Sequence, residues 1–233
     1  MANINGKLDF VSPSTTGTTI EQIIEDDKKY GKLTPRNGKY FTYRVLNEDV
    51  EITNKQITKA IRSSYHRIEF RTNIDFKPAK PWDNPDLTIQ FRTPETDIDK
   101  QLTNNTLMYH YYPINALDNK LRGVCVVNSN YYWTTDGNGR SLHEIDPKNY
   151  PNPTPYNGKT YDIDQVYAHE VLHGLGLPHS QTAGNIMSSN YTLMSEFLSD
   201  EDVSRLQAKY GVRVMNASKL KRLLAWLKRS SDR

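Results

Sequence analysis

The stretch that decides the fold is His169-Glu170-Val171-Leu172-His173-Gly174-Leu175-Gly176-Leu177-Pro178-His179. With the residues before it, YDIDQVYAHEVLHGLGL reads as one helix, capped by Asp162 or Asp164 and stopping near Gly174–Pro178. Helical residues four apart share a face, so His169 and His173 aim two imidazoles at one point. Glu170 follows the first of them and can reach a water on a metal there without ligating it. Gly176 allows a left-handed exit turn that other residues resist, and that turn swings His179 back as a third ligand. Three imidazoles leave a fourth position for water, which is the arrangement of a catalytic zinc. A lone histidine is ordinarily just a satisfied polar residue. Five fixed positions are different, since chance supplies them in roughly one of 10⁵ chains of this length. The competing reading is a degenerate site that no longer binds metal, and the presence of all three ligands and the acid argues against it.

The rest of the chain sets bounds on that site. Its 233 residues suit one large domain, or one domain with appendages. With 36% hydrophobic and 24% charged residues it is polar, yet able to bury a core. Cys125 is the single cysteine, so no intrachain disulfide exists, and it is expected as a buried apolar filler. No apolar run approaches the roughly 18 residues of a membrane span. MANINGKLDF lacks an apolar h-region, so no secretory signal is expected. The net charge is +3, but residues 212–233 carry seven Lys and Arg against one acid, leaving the remainder net negative. That balance argues against nucleic acid as a partner of the main domain.

Residues 1–38 are rich in Ser, Thr, Gly and Asn, with a short helical pattern at TIEQIIEDDKKYGK: Ile20, Ile23 and Ile24 share a face, and Gly31 is placed to stop it. Five strands are expected, at KYFTYRVL, NIDFKPA, DLTIQFRT, TLMYHYYPI and RGVCVVN. Between the first two, TNKQITKAIRSSYHRIEF is an amphipathic helix with Ile57, Ala60, Ile61, Tyr65 and Ile68 on one face. Residues 131–160, with four prolines, read as one long irregular loop. LSDEDVSRLQAKYG is a further helix whose Ser199 and Asp202 resemble a capping box.

These features together resemble a metzincin, the zinc peptidase clan marked by HExxHxxGxxH and a downstream Met-turn. Ser180 after the third His points to the matrixins, the matrix metalloproteinase family. GNIMSSNYT offers Met187 for the Met-turn and, four residues on, Tyr191, which matches the tyrosine walling the matrixin specificity pocket. KYFTYRVL, TLMYHYYPI and RGVCVVN resemble the family's first, fourth and fifth strands, and LSDEDVSRLQAKYG its final helix, so the resemblance covers about Lys39–Gly211. It implies an α+β fold: a five-stranded mixed twisted sheet, about three main helices, and a zinc cleft under an edge strand. The chain then divides into an N-terminal extension (1–38), a zinc peptidase domain (39–211) and a basic amphipathic C-terminal helix (212–233).

The resemblance further implies a zinc endopeptidase acting on polypeptides, with Glu170 as general base and His169, His173 and His179 on one catalytic zinc. Substrate would lie along the edge strand holding Met108 and Tyr109. Gln165, Val166 and Tyr191 would line the main side-chain pocket, and Met187 would support the zinc from below. Matrixins also hold a structural zinc with three His and one Asp. Asp99 and His110 could fill two of those places, but Val126 stands where a His is needed, so no structural zinc is expected. The acidic calcium-binding run has become Asn128, Ser129 and Asn130, leaving calcium open. Asp97 and Asp99 could hold an ion or simply form a solvated acidic loop. No cysteine switch exists, and an N-terminal block would have to act otherwise, through Asp26 or Asp27 for instance. His66 and His143 are expected at the surface, Trp133 in the core, and Tyr109, Tyr111 and Tyr112 packing along the edge strand.

A reading from another class is a non-catalytic component of a larger assembly, such as a phage or other virus particle, built on the same scaffold. In the tail, Leu220, Leu223, Leu224 and Leu227 form an apolar stripe beside basic residues. That helix is expected first to pack on its own domain, next to dock on a protein partner, and least to meet a membrane. Secreted, cytoplasmic and particle-associated locations all stay open.

Overall fold

A computed structural model describes residues 2–5, 25, 28–47, 54–103, 105–115, 121–135, 160–182, 184–189 and 198–213. The elements are β1 (Ala2–Asn5), β2 (Phe41–Val45), α1 (Asn54–Arg71), β3 (Phe76–Pro78), β4 (Leu87–Arg92), β5 (Thr106–His110), β6 (Val124–Asn128), β7 (Tyr132–Thr134), β8 (Thr160–Asp162), α2 (Ile163–Gly174) and α3 (Asp200–Tyr210). The architecture is α+β, and no helix among the described residues is long and apolar enough to cross a membrane.

All five expected strands enter one mixed sheet, in the order β5-β6-β4-β2-β3. Strands β3, β2, β4 and β6 run parallel, and β5 runs antiparallel to β6. The sequence periods explain the faces. In β4, Leu87, Ile89 and Phe91 are buried while Thr88, Gln90 and Arg92 are half-buried, the alternation of a strand covered on one side. In α1 the expected stripe of Ile57, Ala60, Ile61, Tyr65 and Ile68 is buried. Cys125 is buried and joins the same core, as does Trp133.

Two features depart from expectation. A sixth strand, β1, pairs antiparallel with β5 and closes the edge that was expected to be open. Within the expected irregular loop, Tyr132–Thr134 and Thr160–Asp162 pair in parallel as a small second sheet, so the segment entering α2 is held in place. Residues 136–159 between them, with His143, lie outside the described residues, as do Asp26, Asp27, Tyr191 and the tail helix at 214–233. In the N-terminal segment Glu25 and Lys28–Tyr30 are helical. Leu33 reaches into the main core, 1% exposed, so the segment read as an extension contributes both to the sheet and to the core.

Helix α2 is buried nearly all round, from Ile163 to Gly174, with Gln165 the exception. The Asp162 side chain caps it by accepting from the Gln165 N–H at 3.1 Å, which resolves the choice between Asp162 and Asp164. Asp164 instead ties α2 to α1, accepting from Ser64 Oγ and pairing with Arg67 at 2.6 Å. The capping box of α3 is complete: Asp202 N–H donates to Ser199 Oγ at 3.1 Å, and Ser199 N–H to Asp202 Oδ2 at 3.1 Å.

Candidate metal centre

Helix α2 ends as the sequence demands. Leu175 caps it in a right-handed conformation, and Gly176 then turns with φ of +95°. A Cβ at Gly176 would also run into the Gly31 carbonyl oxygen, so both backbone angle and space require glycine there. The Leu177 N–H returns to the Leu172 carbonyl at 2.9 Å, closing the turn and bringing His179 over the helix end.

His169, His173 and His179 then converge, with one ring nitrogen from each within 4.8 Å of the others. Among the described residues they are the one cluster of three or more His, Cys, Asp or Glu with this geometry. His169 Nδ1 lies 2.6 Å from the Ile186 carbonyl oxygen, and His173 Nδ1 lies 2.6 Å from that of Leu177. A carbonyl only accepts, so each Nδ1 carries the proton and donates it. Each neutral ring therefore presents a bare lone pair at Nε2. These two Nε2 atoms stand 2.9 Å apart. Two acceptors so close repel, unless a proton or a cation lies between them.

The surroundings disfavour the proton. Burial first, then the charge of His179, pushes His169 down to about 3. Burial, with Arg205 beside it, pushes His179 down to about 4. Burial and the neighbouring imidazoles hold His173 well below its usual value. Neutral imidazoles are what a metal requires, and His179 Nε2 is itself buried with no hydrogen-bond partner. The donor set therefore fits a zinc ion. Glu170 is fully buried, and desolvation raises its carboxyl well above the ordinary range. The His110 backbone lies against that carboxyl without completing a hydrogen bond of normal geometry.

The loop bearing His179 is fastened to α3. Arg205, almost fully buried, donates through Nη2 to the Pro178 carbonyl at 3.1 Å. Ser180 Oγ donates to Glu201 Oε1 at 3.0 Å, and Asn185 Nδ2 donates to Ser180 Oγ and to Glu201 Oε2. The Ser180 N–H donates to the Met187 carbonyl at 2.8 Å, so fully buried Met187 is tied through the main chain to the residue that follows the third histidine. Tyr112 stands edge-on to His173, with ring centroids 5.1 Å apart. Sequence reading singled out Ser180, Met187 and Tyr112 but not Arg205, Glu201 or Asn185, which meet the loop bearing His179 only once α3 folds against it.

The other expected site residues sit as follows. Val166 is buried in α2, and Gln165 beside it is half-buried. Met108 packs in the main core, whereas Tyr109 belongs to a smaller apolar cluster with Leu102, Tyr111, Val124 and Val126. That cluster bears on the structural-zinc places. Tyr109 Oη donates to Asp97 Oδ1 at 2.9 Å, Arg92 Nη1 does so at 3.2 Å, and the N–H groups of Gln101 and Leu102 hold Oδ2. Asp99 pairs with Arg92 at 3.7 Å. His110, one of the two residues offered for the structural zinc, points to neither acid and packs against Gly174. His66 is paired with Glu69 at 2.8 Å.

Comparison with known proteins agrees with the geometry. The family model for the matrixins, peptidase family M10, matches residues 35–211. Human matrix metalloproteinase-23 is 25% identical over 211 residues, covering 78% of this chain. Interstitial collagenase is 41% identical over 56 residues in pig and also in horse, covering 24% of this chain. The chain spans 47% of the metalloproteinase-23 sequence and 12% of the collagenases.

Proposed function

The chain belongs to the matrixin family, and on that premise we propose that it is a zinc-dependent endopeptidase with His169, His173 and His179 as zinc ligands and Glu170 as general base. Family membership supports a metalloprotease acting on polypeptides in general. The finer reading is carried by one observation, the two Nε2 lone pairs that face each other at 2.9 Å in a site where burial disfavours the proton.

Zinc held there would polarise the scissile carbonyl and make its bound water acidic near neutrality. Glu170 takes the proton of the attacking water at its carboxylate, then returns it to the nitrogen of the leaving amine. Its burial suits that work, since a desolvated carboxyl binds a proton more readily than an exposed one, and the charge of a zinc ion held by the three neutral imidazoles would bring it back into a base's range. The carbonyls of Ile186 and Leu177 keep both helix histidines in the tautomer that leaves Nε2 free. Substrate adds as a strand along β5, beside Met108 and Tyr109, and Gln165, Val166 and Tyr191 flank its main side-chain pocket. We propose one zinc per chain and no structural zinc. Support comes from Asp97, whose oxygens accept four donors, and from Tyr109 and Val126, which share an apolar cluster.

The test combines elemental analysis with cleavage of casein or gelatin. The unaltered chain should hold one zinc and cleave, and Glu170→Ala should hold zinc and lose turnover by orders of magnitude. Unchanged zinc after joint replacement of the three histidines would refute the ligand set, and near-normal turnover in Glu170→Ala would refute the base. Stoichiometric zinc without cleavage of any polypeptide would favour the non-catalytic assembly component.

A further inference from the structure

Strand β1 occupies the outer edge of β5, with Ala2 opposite His110, Asn3 opposite Tyr109 and Asn5 opposite Thr106. His110 is also the residue whose backbone lies against Glu170 and whose ring lies against Gly174 of the zinc helix. The pairing therefore ends beside the proposed base. We propose that residues 2–5 are an intramolecular competitor for the peptide-binding edge, a strand of the chain's own that must leave before a polypeptide substrate can add to β5. This rests on the edge-strand reading given above and adds its regulation.

The energetics suit a displaceable strand. β1 is four residues long, has one neighbour in the sheet, and breaks register between Asn3 and Asn5. Each net ladder hydrogen bond is worth about 0.5–1.5 kcal/mol, so a few of them hold an arm without locking it. An edge strand's unpaired donors and acceptors take any chain that reaches them. A second anchor of the same segment is built differently. Leu33 is in the core, Lys209 Nζ donates to the Gly31 carbonyl at 2.6 Å, Tyr210 Oη donates to that of Leu33 at 3.1 Å, and Tyr30 packs on Tyr112 with centroids 4.6 Å apart. Release is thus confined to the first strand, and Tyr30–Leu33 stay in place beside Tyr112 and the zinc helix.

The test uses the full chain with Asn3→Pro and Ile4→Pro together. Successive strand N–H groups point to opposite sides, so this pair removes a ladder donor whichever side faces β5. A second variant replaces residues 2–5 by Gly-Ser-Gly-Ser. Both are made in the Glu170→Ala background, and a fluorescein-labelled peptide of residues 1–10 is titrated by anisotropy. An arm in place nine-tenths of the time weakens apparent affinity about tenfold, so both variants should bind the peptide at least about tenfold more tightly than the unaltered arm allows. Amides of residues 106–110 should also exchange faster in both. Equal peptide affinity, or unchanged exchange in both variants, overturns the proposal. With Glu170 restored, kcat/KM on a quenched peptide should rise by a similar factor, and an unchanged kcat/KM overturns the competition. If the arm tests succeed and no chain cleaves any peptide, the pairing stands and the peptidase reading fails.

Discussion

The His110 imidazole fills the space that a side chain at Gly174 would need. A Cβ there would come within 2.6 Å of His110 Nδ1 and closer still to Cε1 and Nε2. The ring is fully buried and its Nε2 has no hydrogen-bond partner, and burial pushes its pKa down to about 4. A strand residue and a zinc-helix residue are thus matched in size, large against absent.

Gly174→Ala should therefore destabilise the protein by about 1–3 kcal/mol, through overpacking rather than backbone strain. In a His110→Ala background the same change should be nearly neutral. Urea unfolding of the four proteins of this cycle measures the coupling, and simple additivity would show that the two residues do not meet.

Metal-free protein should lose stability on acidification from about pH 6.5 down to about pH 4. His110, His169 and His179 have folded values near 4, 3 and 4, against about 6.5 unfolded. Across that window the unfolded chain binds more protons, so stability rises with pH. Glu170, whose folded pKa is raised, acts oppositely but as one group against several. Thermal unfolding of the zinc-stripped chain checks this, and a midpoint unchanged between pH 7 and pH 5 would contradict it.

Asp97 should be a structural node. Burial alone would raise its pKa, yet the N–H groups of Leu102 and Gln101, the Tyr109 hydroxyl and Arg92 hold it below the usual carboxylate range. Its contribution is present above the unfolded value of about 3.9 and fades as pH falls through the folded one. Tyr109→Phe should cost about 1.5–3 kcal/mol, the range for a hydrogen bond to a charged group. Asp97→Ala should cost more, because it strands Arg92 and Tyr109 together. Denaturant midpoints of the two variants give the ranking, and the reverse order would rule out this account.

Arg205→Met should weaken zinc binding by about 10–100-fold while leaving the fold intact, since the guanidinium holds the carbonyl one residue before His179. Competition with a chromophoric chelator reads the affinity, and circular dichroism the fold. Unchanged affinity would mean that the turn at Gly176 positions His179 unaided.

What could be read from residues alone follows from how local each signal is. The helix bearing His169 and His173, its cap, the glycine exit turn and the five strands rest on spacing of a few residues, and all appear. The sixth strand does not announce itself, because Ala2-Asn3-Ile4-Asn5 has little strand propensity and is ordered by the free edge of a distant strand. The pairing of β7 with β8 was hidden for a similar reason, as two three-residue strands far apart in the chain carry no period of their own. His110 looked like a ligand, but strand alternation puts it on the face opposite Tyr109, toward Gly174. Around the triad, the three histidines were legible and the groups orienting them were not, because carbonyls such as Ile186 and Leu177 are the same in every sequence.

The dependence of the His179 loop on Glu201 and Arg205 has a temporal side. Both anchors belong to α3, the last described helix to leave the ribosome, while His169 and His173 are made some thirty residues earlier. During synthesis the nascent chain would display two imidazoles on a helix before the third could be held in register. Completion of the proposed metal site is therefore tied to completion of the domain, and a chain stalled before residue 200 would carry the full HExxHxxGxxH motif before the anchors of its third histidine exist.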